Sequence, residues 1–275
     1  MKKILYILTA LVLLASCQKD NAVQSHDKAV ATFEVQTPFE FEIKSTTGSG
    51  TGSKINALWY GVYHKKADGR FVYMSDMSDF VQATDINDIS VPITLFKDQE
   101  YKIIFVAQHI EAIASVDGNV SNCYTYIINE NGQMSLNPSA VITDGEQLDA
   151  FVYWEQTGVI KNDYKKEIEL TRPLAQINVS SSVSELPIRI DLAVTGTAAS
   201  YNIFDEQYAG PTSESISFNG LVCNGEDLAA IYVLPAGNSV TLDMTMHYDD
   251  GTSKTKQVQN IPVAPNFKTN VKGNI

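Results

Sequence analysis

Lys165-Lys166-Glu167-Ile168-Glu169-Leu170-Thr171-Arg172-Pro173-Leu174-Ala175-Gln176-Ile177-Asn178-Val179-Ser180 decides how this chain is read. Ile168 and Leu170 alternate with Glu167, Glu169 and Thr171, the period of two that marks a half-buried strand. Arg172-Pro173 interrupts the pattern, because proline offers no N–H to a ladder and holds its neighbour extended. Ala175, Ile177 and Val179 then restart it against Gln176, Asn178 and Ser180. One strand ends and another begins almost without a loop. The stretch predicts a point where one β-domain hands the chain to a second.

The same alternation runs outward in both directions. Residues 57–63 and 71–74 flank Asp68-Gly69 and predict a hairpin. Residues 89–95 and 101–107 are two further strands, the second apolar enough to be central, and residues 124–128 with Asn131-Gly132 predict another hairpin. Nearer the N-terminus, residues 31–35 and 39–43 alternate cleanly and are broken at Pro38, and residues 45–53 form a polar Gly/Ser/Thr loop. Beyond Ser180, strands are expected at 188–194, 200–204, 215–218, 229–234, 240–248 and 254–259, with one helical turn at 225–228. Short strands separated by turn signals suit β-sandwiches.

Composition agrees with a nearly all-β chain. Its 275 residues include Tyr 13 and Phe 11, are 44% hydrophobic, and leave room for one large or two medium domains. The formal charge is −12. No basic patch is present to meet a phosphate backbone, so nucleic acid is not expected as a partner.

The first residues form an export signal. Met1-Lys2-Lys3, the apolar run 4–14 and Leu14-Ala15-Ser16-Cys17 are a basic region, a hydrophobic region and a small-residue cleavage site. The apolar run falls short of the roughly 20 residues needed to cross a bilayer. Leu-Ala-Ser-Cys resembles a bacterial lipobox, in which Cys17 receives lipid on its sulfur and becomes the mature N-terminus. Gln18-Lys19-Asp20 resembles the export tag of surface lipoproteins, so an outer-membrane, surface-exposed lipoprotein is expected. Cys123 and Cys223 lie far apart in sequence and are expected as two buried free thiols.

The mid-chain segment resembles that of the fimbrillins, the type V pilins of Gram-negative gut and oral anaerobes. Its apolar-x-Arg-x-x-Ala-x-Ile-x-Val pattern is Leu170, Arg172, Ala175, Ile177 and Val179 here. Phe105-Val106-Ala107-Gln108, Leu148-Asp149-Ala150-Phe151 and the closing run from Ile261-Pro262 through Asn266-Phe267-Lys268-Thr269-Asn270 to Gly273-Asn274-Ile275 resemble family landmarks, in the family's order. The resemblance covers essentially the whole mature chain. It implies an all-β fold of two tandem transthyretin-like β-sandwich domains after a lipoprotein signal peptide. The expected divisions are 1–16 signal peptide, 17–28 tether, 29–170 N-terminal sandwich and 171–275 C-terminal sandwich. Family members continue past the closing run with a final apolar strand, which the C-terminal sandwich is expected to lack.

The resemblance also implies a function: a fimbrial subunit that assembles by proteolysis-triggered strand exchange and serves adhesion. The removable strand would present Phe33, Val35, Phe39, Phe41 and Ile43 inward, with Glu34, Glu40 and Glu42 outward. Lys44 occupies the position where family members are cut by a trypsin-like surface protease, with Lys54 the second candidate. The implied partners are other fimbrial subunits, that protease, the outer membrane and a host or bacterial surface ligand.

No chemistry of another kind is signalled. His26, His64, His109 and His247 are scattered, without the spacing that holds a metal, and neither a nucleophile elbow nor a phosphate-cradling loop occurs. No catalytic residue, metal or cofactor is expected; a Ser-His-Asp grouping would have to be assembled by the fold rather than by spacing along the chain. The alternative function is a glycan-binding outer-membrane surface lipoprotein that does not polymerise. Trp59, Trp154 and the Tyr60/Tyr63 pair would then stack on sugar rings rather than fill core and rim.

Overall fold

The computed structural model describes residues 27–36, 52–82, 89–114, 120–183 and 185–274. The chain enters as β1 (Lys28–Gln36), β2 (Ala57–Lys65), β3 (Phe71–Gln82), β4 (Ile89–Phe96) and β5 (Tyr101–Gln108). An insertion follows, with β6 (Ile110–Ala114), β7 (Val120–Tyr124), β8 (Tyr126–Ile128), β9 (Gln133–Leu136) and a 3-10 turn at Gly145–Leu148. β10 (Ala150–Gln156) and β11 (Tyr164–Glu169) close the first sandwich. The second contains β12 (Ala175–Ser181), β13 (Arg189–Thr195), β14 (Tyr201–Asn202), β15 (Gln207–Tyr208) and β16 (Ile216–Val222). It finishes with β17 (Asp227–Val233), β18 (Ser239–His247), β19 (Ser253–Pro262) and β20 (Lys268–Gly273).

The two sandwiches share one topology. The first packs the sheet β11-β1-β4 on β10-β5-β2-β3, and the second packs β17-β12-β20 on β16-β13-β18-β19. If the seven sandwich strands of each are numbered in order, both read 4-1-7 over 3-2-5-6. This is the transthyretin-like arrangement, and it occurs twice in tandem. In each copy the first strand lies in the middle of the smaller sheet, antiparallel to the fourth and parallel to the seventh.

β5 explains why the two copies hold together. Its run Ile103-Ile104-Phe105-Val106-Ala107 is buried on both faces. Ile103, Phe105 and Ala107 join the first sandwich's core, whereas Ile104 and Val106 join a cluster that continues into the second. A small sheet, β15-β14-β9-β8, takes strands from both halves, with Tyr201 paired to Met134.

Three local expectations are corrected. Residues 225–228 form no helical turn, because Asn224 and Asp227 bridge to each other and β17 begins at Asp227. The expected strand 124–128 is two strands: β7 and β8 part at Thr125, whose N–H donates to the His109 carbonyl. Cys123 and Cys223 are free thiols but only half-buried.

Candidate functional site

β1 is the candidate removable strand, and the residues on either side of it form its slot. Ala29, Ala31, Phe33 and Val35 all point into the core, and Phe33 is wholly buried. The Phe33 ring lies 4.9 Å from Phe105 on the opposing sheet and meets Tyr164 of β11 edge-on at 5.8 Å. Glu34 faces outward as expected, bonded to Lys165 at 2.9 Å and Ser90 at 3.0 Å, which hold its carboxyl below the usual carboxylate range. Phe33 and Val35 are therefore placed as the alternation predicts. Phe39, Phe41, Ile43, Lys44 and Cys17 lie outside the described residues.

Both edges of β1 are engaged. Residues 28–35 pair antiparallel with β4 from Phe96 to Ile89, and residues 31–36 pair parallel with Tyr164 to Glu169 of β11. The ends are also fixed: Lys97 N–H donates to Asp27 at 2.7 Å, and Leu170 N–H donates to Gln36 at 2.9 Å. A strand taken from this position leaves a row of backbone donors and acceptors on each side and an apolar floor between them. Lys54 is at the surface, in an ion pair with Asp144 at 3.2 Å.

Sequence spacing did not reveal what lies beside the slot. Arg172, between β11 and β12, grips Asp149 with two bonds, Nε to Oδ1 at 2.8 Å and Nη2 to Oδ2 at 2.7 Å. Its guanidinium stacks 4.6 Å from the Phe151 ring and 5.6 Å from Tyr232. Tyr232 in turn donates to Glu146 at 2.9 Å. Burial pushes the Asp149 carboxyl up to about 6 against the pull of Arg172. Two landmarks quoted separately from the sequence, Arg172 and Asp149-Ala150-Phe151, are thus one contact at the joint between the sandwiches.

The large aromatics are packing groups. Trp59 lies flat on Gly61, where an added Cβ would sit 2.3 Å from the indole. Trp154, Phe71 and Phe204 surround the Lys102 ammonium at 5.1, 5.1 and 4.7 Å. Phe204 comes from the β14–β15 turn of the second sandwich and also meets Tyr63 edge-on at 4.9 Å.

The histidines among the described residues remain separate. His109 bonds Lys54 O and Gln147, while His247 lies between Asp191 at 2.8 Å and Ser253 at 3.0 Å. This last trio consists of cross-strand neighbours on one sheet, and the second Asp191 oxygen accepts the Gly220 N–H. Among the described residues, no group of three or more metal-binding side chains converges.

A family model described as a family of unknown function, DUF6562, matches residues 23–275. A model of the prokaryotic membrane lipoprotein lipid attachment site matches residues 1–18, the segment that contains Cys17. No curated protein matches the chain. Similar solved structures include a candidate adhesin of Bacteroides thetaiotaomicron, 11% identical over 87% of this chain and 80% of that one, with a TM-score of 0.48. A candidate cell adhesion protein of Bacteroides fragilis is 10% identical, with 90% and 92% covered and a TM-score of 0.47. The fimbrial anchor protein Mfa2 of Porphyromonas gingivalis is 14% identical, with 89% and 90% covered and a TM-score of 0.45.

Proposed function

We propose that this chain, which belongs to the DUF6562 family of unknown function, is a surface lipoprotein that serves as a fimbrial subunit. The observation that carries the reading is the seating of β1: a single strand, close in sequence to the lipid-bearing N-terminus, fills a slot between two other strands. Cys17 takes the lipid, the residues between it and Asp27 are the tether, one residue shorter than expected because Lys28 already pairs with Phe96 in β1, and the outer membrane is the surface. A trypsin-like surface protease cuts after Lys44, the strand leaves with its anchor, and an extended strand of another subunit fills the gap between β4 and β11. That exchange is β-augmentation, in which main-chain bonds supply affinity and alternate side chains supply fit. Adhesion to a host or bacterial surface ligand follows from the fibre, without catalysis.

The energetics favour a docked strand in the uncut chain. Burial of Phe33 and Val35 contributes about 1.5–3 kcal/mol each, before the ladder bonds on both edges are counted. Limited proteolysis with a Lys-specific protease tests the reading. A new N-terminus at Ser45 together with higher-order species, both absent in Lys44→Ala, is the expected result. Resistance at Lys44 under conditions that cut Lys65 or Lys66 overturns it. Cys17→Ala should take up no labelled palmitate and should leave the membrane fraction.

A further inference from the structure

The second sandwich has a free strand edge far from the β1 slot. β16 is the outermost strand of β16-β13-β18-β19, and among the described residues it pairs only with β13. Two cavities follow one another along it, each between β16 and the insertion segment 136–146 of the first sandwich. The first, of about 620 Å³, has Ile216 and Phe218 on one side and Leu136 and Ile142 on the other. The second, of about 360 Å³, continues between Leu221 and Val222 and the turn at Asp144 and Gly145. Val222 is 72% exposed, high for an apolar side chain in a strand.

The charged residues lining this trench are acidic, although Lys54 pairs with Asp144 at 3.2 Å and Lys268 lies near Glu146 and Asp227 from outside the lining. Glu214 borders the first cavity, and Asp144, Glu146 and Asp227 border the second; no lysine, arginine or histidine lines either among the described residues. Glu146 uses Oε2 for Tyr232 but leaves Oε1 buried with no hydrogen-bond partner. Burial raises its carboxyl, with the Tyr232 hydroxyl, Arg172 and Lys268 opposing the rise. A free strand edge calls for an extended backbone, an apolar floor for alternating apolar side chains, and acidic walls for cations.

We infer that the trench beside β16 takes up an extended basic peptide from another protein, added to this sheet as a fifth strand. The protein's own Phe39-Glu40-Phe41-Glu42-Ile43 segment has the alternation but the wrong charge. A glycan is disfavoured because Phe218, the one aromatic ring bordering these two cavities among the described residues, is buried. The inference is independent of the strand-exchange reading, since it concerns a different sheet of the other sandwich.

The test uses the full-length lipoprotein in detergent and a fluorescent Lys-Val-Lys-Val-Lys-Val-Lys peptide followed by anisotropy. Binding should weaken at least about tenfold with the Glu-Val counterpart and in Glu214→Lys, the loss expected for a close charge pair. A peptide N-methylated on alternate amides should also lose binding, because charge remains while strand pairing is removed. Ala199→Trp, which fills the first cavity, should block binding; Glu214→Lys carries the test alone if that variant does not fold. Equal binding of the N-methylated peptide reduces the contact to diffuse electrostatics and overturns the inference. So does binding of a neutral oligosaccharide that Ala199→Trp abolishes while the Lys-Val peptide fails to bind.

Discussion

Arg172 and Asp149 form a bidentate pair with both side chains almost completely out of solvent, 4% and 0% exposed. Each comes from a short connection: Asp149 closes the 3-10 turn before β10, and Arg172 lies between the last strand of one sandwich and the first of the next. The pair therefore fixes where the second sandwich starts relative to the first. Phe151 and Tyr232, one ring from each sandwich, cover it.

Arg172→Met should cost about 3–5 kcal/mol at neutral pH, because the buried Asp149 carboxyl loses its cation and must take up a proton or stay charged without a partner. The loss should also depend on pH with a defined sign. Asp149 is already raised to about 6 by burial, with Arg172 opposing the rise, so removal of the arginine lifts it further. An unfolded aspartate titrates near ~3.9, so the folded variant holds a proton that the unfolded chain has lost. Stability then falls as pH rises through the folded value. Because the parent levels off above about 6, denaturant melts should show the deficit against it widening from about pH 6 to about pH 8; a deficit constant over that range is incompatible with this pair.

Phe33→Ala should destabilise the first sandwich by about 3–5 kcal/mol, as expected for a large side chain removed from a packed core. Val30→Ala, on the outer face of the same strand and 37% exposed, should stay within about 0.5 kcal/mol. Thermal melts of the two variants separate the inward row from the outward one.

Much of the framework was legible because a sheet with one wet face writes itself as alternation. Ile168, Leu170, Ala175, Ile177 and Val179 are all buried, and the strands on either side of Arg172-Pro173, β11 and β12, lie in different sheets. β1 was legible as an inward row at Phe33 and Val35, but not as a central strand, since pairing order is a property of the assembled sheet. The Asp149–Arg172 contact was hidden for a similar reason: an acidic and a basic residue 23 positions apart carry no local signal of a bond. The strand expected at 200–204 is present only as the two residues of β14, and β15, also two residues, is too short for any period to register. The trench beside β16 depends on which strand is outermost and on what the 136–146 segment leaves uncovered, so no local pattern announces it.

Gly132 and Phe204 should prove coupled. Gly132 has φ +75, and a Cβ placed there would lie 2.6 Å from the Phe204 ring. Gly132→Ala pays for both the backbone strain, about 1 kcal/mol or more, and the clash. In a Phe204→Ala background the strain and a 3.2 Å approach to Ile104 remain, but the clash with the ring is gone. A double-mutant cycle should therefore give a coupling of at least about 0.5 kcal/mol, whereas simple additivity would mean the two do not touch.

A disulfide across β1 and β4 should separate cutting from strand release. Val30 and Thr94 are direct partners in the register, on the outer face. Val30 N–H points away from β4, donating to Asp163 at 2.9 Å on the β11 side, and two residues along, Thr32 faces Pro92, which has no N–H to give. Both observations make this a non-hydrogen-bonded pair, with Cα atoms about 4.5 Å apart, inside the disulfide range. Val30→Cys with Thr94→Cys, made with Cys123 and Cys223 changed to serine, should oxidise without moving the backbone. After Lys-specific cleavage at Lys44, the oxidised protein should keep β1, stay with the membrane through Cys17 and form no higher-order species. Reductant should then release the strand and allow assembly. If oxidised, cleaved protein assembles as well as reduced protein, departure of β1 is not the step that opens the subunit.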